Sequence, residues 1–321
     1  MLYLTKKTGN EDDGRVRLAG AVMLTVAAFI WGTSLVSQSG AMASVGPFTF
    51  TALRSALGGI ALLVFYIFFP DKNMGKSGSA AFTSALKGGM ICGTVLFFSV
   101  NFQQIGLIYA APGKAAFITA LYIVIVPIIG TVFGRQTKNT VWISVGIALV
   151  GFYLLNITPG EGFGLTIWEA LILLCAVAFS AHILAVENFG AGVSSVLLSC
   201  IQFLTVSVLS SLFIFFDVTV LGYNLPDAEV FSEIWFNLLY AGLFSCGIAF
   251  TLQIAGQKCL PSSSAALILS LESVFAAATA WLVSPANALG KVQIAGCILI
   301  FAAICFSSLP FGKGREINPD H

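Results

Sequence analysis

The chain has 321 residues, of which 58% are hydrophobic and only 9% charged, and its mean hydropathy is +0.95. A soluble protein carries roughly a quarter charged residues, so this chain cannot clothe a water-facing surface and most of its surface must meet lipid. The formal net charge of +1 excludes the basic footprint that nucleic-acid binding requires.

Ten apolar stretches of spanning length follow one another along the chain, separated by Gly, Pro, Asn or charged breaks. The first, Leu18–Gln38, follows basic residues as a signal peptide would, but it is long enough to span and has no convincing small-residue cleavage site. The others are Pro47–Phe69, Phe82–Gln104, Lys114–Phe133, Val141–Ile157, Thr166–Val186, Ser194–Phe216, Ile234–Gln257, Ser262–Val283 and Val292–Leu309. Each is far longer than a barrel strand and lacks apolar–polar alternation, so all are expected to be helices. Pro70–Ala81 and Asp217–Glu233 are the longest polar connections, and neither holds a soluble domain. The seven cysteines are scattered singly, with no C-x-x-C pair, and read as small core residues.

The cations orient these spans. With a cytoplasmic N-terminus, the inner segments hold twelve of the fifteen Lys and Arg residues, including Arg15, Arg17, Lys87, Arg135, Lys138 and Lys258. Only Lys114 and Lys291 fall outside, and Arg54 lies within a span. The expected protein is therefore multi-pass with both termini cytoplasmic, in the plasma membrane (the inner membrane of a bacterium).

The chain also repeats itself. Gly106, Ala115, Ala116, Ile118, Leu121, Gly146 and Leu149 recur 150 positions later as Gly256, Ala265, Ala266, Ile268, Leu271, Gly296 and Leu299. Nearer the front of each half the offset is 148, which pairs Trp31 with Phe179, Ser34 with His182 and Arg54 with Gln202. The expected organisation is a tail over 1–17, a five-helix unit over 18–157, a second over 166–309 and a tail over 310–321. Five is odd, so the second unit starts from the opposite side and lies inverted relative to the first. The expected fold is thus all-α and integral to the membrane, ten transmembrane helices as two inverted five-helix repeats, a construction that lets transporters alternate access.

Several short runs give the chain a family likeness. They are Phe29-Ile30-Trp31-Gly32-Thr33-Ser34, Leu53-Arg54, the stretch Gly106 to Ala116, and Leu271-Glu272. With these at their spacing across ten helices, the chain resembles the EamA-type members of the drug/metabolite transporter superfamily over Leu18 to Leu309. In that family Pro often follows the ninth-span Glu; here Ser273 stands instead and leaves no proline to impose a kink. The resemblance implies ten helices in two repeats and movement of small polar metabolites, often amino acids, by export or exchange.

Ionisable groups within spans are costly and mark candidate sites. Arg54, about 10 Å from the outer end of the second span by helical rise, suits a substrate carboxylate or phosphate, or else an internal tether to backbone carbonyls. The resemblance adds that Arg is often found here whatever the substrate. Glu272, near the middle of the ninth span, suits a proton or a substrate amine, or else an interhelical hydrogen bond. His182 suits a proton relay or a satisfied core position, and alone it is no metal site, because zinc needs three or four ligands.

Uncharged residues extend the list. Trp31, Ser34 and Gln38 share one face of the first span, and Phe97, Asn101 and Gln104 one face of the third. Thr251 is the repeat equivalent of Asn101, and Tyr122, Phe179 and Gln202 complete the set. Together they predict a cavity lined by rings and amides, although single Asn and Gln residues also serve as glue between helices.

The expected function is secondary transport of a small polar or amphipathic metabolite, amino-acid-like, exported by alternating access with proton coupling or exchange. An uncoupled facilitator or exchanger for sugar-linked metabolites is the alternative. An intramembrane enzyme would need a His–Ser, paired-Asp or H-E-x-x-H constellation that the spans lack, and no phosphate-cradling G-x-x-x-x-G-K-[ST] occurs. Expected partners are a small-molecule substrate, the lipid bilayer and protons as a coupling ion, with the chain a monomer or homodimer. No cofactor or metal is expected.

Overall fold

The computed structural model describes residues 10–70, 78–110, 112–135, 137–156, 166–283 and 289–308. No strand occurs among these residues. Lipid offers backbone N–H and C=O groups no partner, and an apolar segment that crosses it satisfies them internally by becoming a helix. The helices are α1 (Asn10–Ala41), α2 (Pro47–Phe68), α3 (Gly78–Gly106), α4 (Pro112–Thr119), α5 (Tyr122–Val132), α6 (Asn139–Asn156) and α7 (Ile167–Gly190). They continue with α8 (Ser195–Leu212), α9 (Ile214–Thr219), α10 (Ala228–Leu239), a π-helical segment (Tyr240–Ala249), α11 (Phe250–Gln257), α12 (Ser262–Leu269), α13 (Glu272–Val283) and α14 (Lys291–Ser308).

Among the described residues, eight helical stretches are long and apolar enough to cross a membrane. Two shorter apolar helices, Asn139–Leu155 and Lys291–Ser307, stand where the fifth and tenth spans are expected. The protein is a multi-pass membrane protein. Bulky side chains such as Ile67, Phe68, Val132 and Leu282 are exposed, and in a bilayer they meet lipid instead of water. Residues 1–9 and 309–321 of the two polar tails lie outside the described residues.

Packing interleaves the two halves of the chain. α3 runs along α7 and α8, α6 along α14, α2 along α8, and α1 along α13, α11 and the π-helical segment. Gly32 permits one close approach, because a Cβ there would lie 2.5 Å from the Glu272 carbonyl oxygen and 2.6 Å from Phe275 Cβ.

One helix end is completed from the other half. α2 opens with Pro47 after Gly46 and has no local side-chain cap. Asp217 of α9 supplies one, accepting from the Phe48 and Thr49 N–H groups at 3.2 and 2.7 Å and from the Thr49 hydroxyl at 2.7 Å. Gly46 leaves the room, since a Cβ there would fall 2.3 Å from Asp217 Cγ. The sequence places Asp217 at a span edge in a polar connection; the structure buries it as this cap. Asp217→Ala strands two buried backbone donors and is expected to destabilise the protein by about 2–3 kcal/mol. A thermal melt in detergent checks it, and an unchanged melting temperature would contradict the capping role.

Candidate functional site

The apolar stretches Pro112–Val132 and Ser262–Val283 are both broken near their middles, at equivalent positions. Ala120 N–H bonds Ala116 C=O at 3.0 Å, Leu121 reaches back only three residues to Ile118, and Ile123 reaches back three to Ala120. One hundred and fifty positions on, Ser270 bonds Ala266 at 3.0 Å, Leu271 bonds Ile268 and Ser273 bonds Ser270. The second half thus repeats these three bonds of the first. The tightened turns re-aim the chain, so that α5 opens on Tyr122 and α13 on Glu272. No proline is needed at the second break. The Ser270 hydroxyl donates to Leu267 C=O, and the Ser273 hydroxyl crosses to Ala116 C=O at 3.0 Å, tying one broken span to the other.

A cavity of about 30 Å³ lies beside these breaks. α1 contributes Trp31, Leu35 and Gln38, α2 contributes Arg54, and α3 contributes Val100 and Gln103. Thr119, Tyr122 and Glu272 come from the broken spans, Phe179 and Ile183 from α7, and Ser245, Phe250 and Gln253 from the π-helical segment and α11. That volume holds about two water molecules. π-Helical turns are rare and recur at functional sites, and this one carries Ser245 to the cavity wall.

Arg54 is 4% exposed. Its Nη1 donates to Gln38 Oε1 at 2.5 Å, the Phe50 ring lies 5.7 Å away, and Nε has no hydrogen-bond partner. It makes no ion pair among the described residues. The tether is therefore a side-chain amide, where the sequence had suggested backbone carbonyls. Glu272 is 5% exposed, its Oε1 has no hydrogen-bond partner, and it too forms no ion pair among the described residues. The Tyr122 hydroxyl and Trp31 Nε1 are likewise buried without partners, Trp31 leaning on Phe250 at 4.6 Å between ring centroids. One wall set thus holds a guanidinium, a carboxyl group and two unused polar atoms.

Of the thirteen residues singled out from the sequence, Trp31, Gln38, Arg54, Tyr122, Phe179 and Glu272 line this cavity together. Ser34 and Gln104 stand one layer behind, each bonded to Gln38. His182 and Gln202 bond each other at 3.2 Å, fully buried outside the lining, and the Phe250 ring packs edge-on against His182 at 5.9 Å. Asn101 turns away and donates to Phe97 C=O and the Ser210 hydroxyl, which is the gluing role. Phe97 packs among Phe48, Phe98 and Phe213, and the Thr251 hydroxyl is used up on Gly247 C=O. Asn101, Phe97 and Thr251 thus lie outside the lining of this cavity, on faces of their helices that pack against neighbouring segments.

Gln103, Thr119, Ser245 and Gln253 are polar lining residues that sequence reasoning passed over. Gln103 donates to Thr119 Oγ1 at 3.2 Å, and Gln253 to Gln257 Oε1 at 3.0 Å. The offset of 150 that relates the halves pairs Gln103 with Gln253, so this signal was present. Among the described residues, no three His, Cys, Asp or Glu side chains cluster as metal ligands would.

An all-helical membrane chain with two broken spans beside a buried polar cavity is built as a membrane transport protein is built. The model of the EamA-like transporter family matches residues 18–157 and again 166–309, and the chain belongs to this family. It is 31% identical over 298 residues to a protein of Archaeoglobus fulgidus described as an uncharacterized transporter, an alignment that spans 92% of this chain and 88% of the relative. A solved structure titled only as the crystal structure of a protein superposes with a TM-score of 0.67 at 20% identity, over 90% of this chain and 96% of that one. At that identity the likeness speaks for the fold alone.

Proposed function

We propose that this protein is a secondary transporter that carries a small zwitterionic metabolite, an amino acid or a close analogue, outward across the plasma membrane by alternating access. The observation that carries the reading is the pair Arg54 and Glu272. Both line one cavity, both are buried, and neither forms an ion pair among the described residues. Buried charge is tolerated when something pairs with it. A ligand with a carboxylate at one end and an ammonium at the other supplies both missing partners, while the rings of Trp31, Phe179 and Phe250 cover its apolar part. In the loaded state the polar atoms left unused around the cavity gain partners as well.

Alternating access rests on ten spans in two inverted units. The two shorter helices are about 26 Å long at helical rise, enough to reach across with modest local thinning of the bilayer. The packing pattern supports a pseudo-two-fold exchange of halves. α1 packs on the ninth span as α7 packs on the fourth, and α1 packs on the eighth as α7 packs on the third. The pairs α2–α8 and α6–α14 map onto themselves. A cytoplasmic N-terminus follows from the distribution of Lys and Arg. Protons are the proposed coupling ion, with Glu272 as the group that carries them or the substrate amine and His182 as a second candidate.

Reconstitution into liposomes tests this reading. Labelled amino acids and sugars are offered singly, with and without an imposed pH gradient. Uptake of at least one amino acid, enhanced by the gradient or by a trans amino acid, is the expected result. Transport indifferent to both would mark an uncoupled facilitator, and silence across the panel with folded protein would overturn the assignment.

A further inference from the structure

We infer that Gln38 determines the charge specificity of this site: it fixes the Arg54 guanidinium without cancelling its charge, and so makes an anionic group a requirement of the ligand. The inference rests on the transporter reading and sharpens it. Gln38 Oε1 accepts from Arg54 Nη1 and from Gln104 Nε2, each at 2.5 Å, and Gln38 Nε2 donates to the Ser34 hydroxyl at 2.8 Å. All four residues are buried. Arg54 has only donors to offer, so the amide can turn only its oxygen towards it, and its nitrogen is left to donate to the Ser34 hydroxyl.

A carboxylate has nearly the shape of this amide and would close an ion pair with Arg54. The amide accepts the same hydrogen bond and leaves the positive charge whole. The remaining neighbours do not neutralise it: Phe50 offers a ring face, Nε is unpartnered, and Glu272 reaches the cavity without pairing to Arg54. A buried guanidinium that no carboxylate contacts is a costly state that an incoming anion relieves. In the second half the equivalents of Gln38 and Arg54 are Val186 and Gln202, so the repeat does not supply a second cation there. The cavity thus takes one anionic group, seated at Arg54.

The test compares wild type, Gln38→Glu and Gln38→Met, each full-length and purified. Proteoliposomes are offered the twenty labelled amino acids, with the corresponding amino-acid amides as competitors that lack the carboxylate. Wild type is expected to move at least one amino acid and to ignore its amide. Gln38→Glu, which pairs Arg54 internally, should lose at least about 30-fold in that transport. It should let the amide compete, and it should melt at or above the wild-type temperature. Gln38→Met removes the positioning bond without adding charge, so it weakens transport but still prefers the acid to the amide. A folded Gln38→Glu with wild-type transport and discrimination would overturn the inference. A second readout needs no transport. Acetate, a bare carboxylate, should raise the melting temperature of wild type and not that of Gln38→Glu. Equal shifts in the two proteins, or none in either, would also overturn it. If acetate discriminates as expected while wild type moves no amino acid, the transporter reading fails and the charge assignment stands.

Discussion

Arg54→Gln is expected to lower amino-acid transport in proteoliposomes at least about 100-fold while leaving the protein folded. The guanidinium is the only cation facing the cavity among the described residues, and truncating one partner of a desolvated charge pair costs roughly 2–5 kcal/mol. The melting temperature of this variant should hold or rise. The native state buries an uncompensated charge, and the substitution removes it. A purely structural Arg54 would behave in the opposite way, losing stability and transport together. Arg54→Lys is expected to fall between, because an ammonium keeps the charge but cannot hold the Gln38 amide and a substrate carboxylate with one planar fork. Transport by Arg54→Gln within two-fold of wild type would remove the residue from the site.

Glu272→Gln is the second large effect. The substitution keeps the side chain's shape and its place at the start of α13, and it removes the negative charge. If Glu272 holds the substrate ammonium, gradient-driven uptake and exchange between equal pools should both fall by at least about 30-fold. If it carries the coupling proton, exchange should persist while gradient-driven accumulation and its pH dependence disappear. Measuring both modes separates the two roles. Preservation of both would take Glu272 out of the mechanism and leave Arg54 as the sole charged determinant.

Much of this site was legible in one dimension, and the failures have a common cause. Arg54 and Glu272 announce themselves because charge in an apolar run is rare, whatever way the helix is turned. The repeat offset paired Ser34 with His182 and Arg54 with Gln202, and the structure joins each set by hydrogen bonds at matching places, through Gln38 in the first half and directly in the second. The wall of α3 is less legible. The sequence pattern puts Asn101 and Gln104 on the lining face, whereas Gln103 lines the cavity, one position and about 100° of rotation from Gln104. In a helix with apolar residues on every side, hydrophobic periodicity does not report that rotation. The ninth-span break was missed for another reason: it is made by tightened backbone turns and serine hydroxyls, and the sequence signal sought there was proline.

Composition and spacing alone determined that lipid is the solvent, that the chain is helical, that its halves are copies and that a few charged residues are out of place. These follow because the free energy of moving a residue into a bilayer depends on the residue type and on the length of the run. Only the tertiary structure decided which of those residues meet. The rotation of each helix, the breaks that begin α5 and α13 at Tyr122 and Glu272, and the interleaving of the halves are set by side-chain packing between segments far apart in the chain. The unpaired state of Arg54 belongs to that second category. It arises because the group one hydrogen bond away is an amide contributed by another helix.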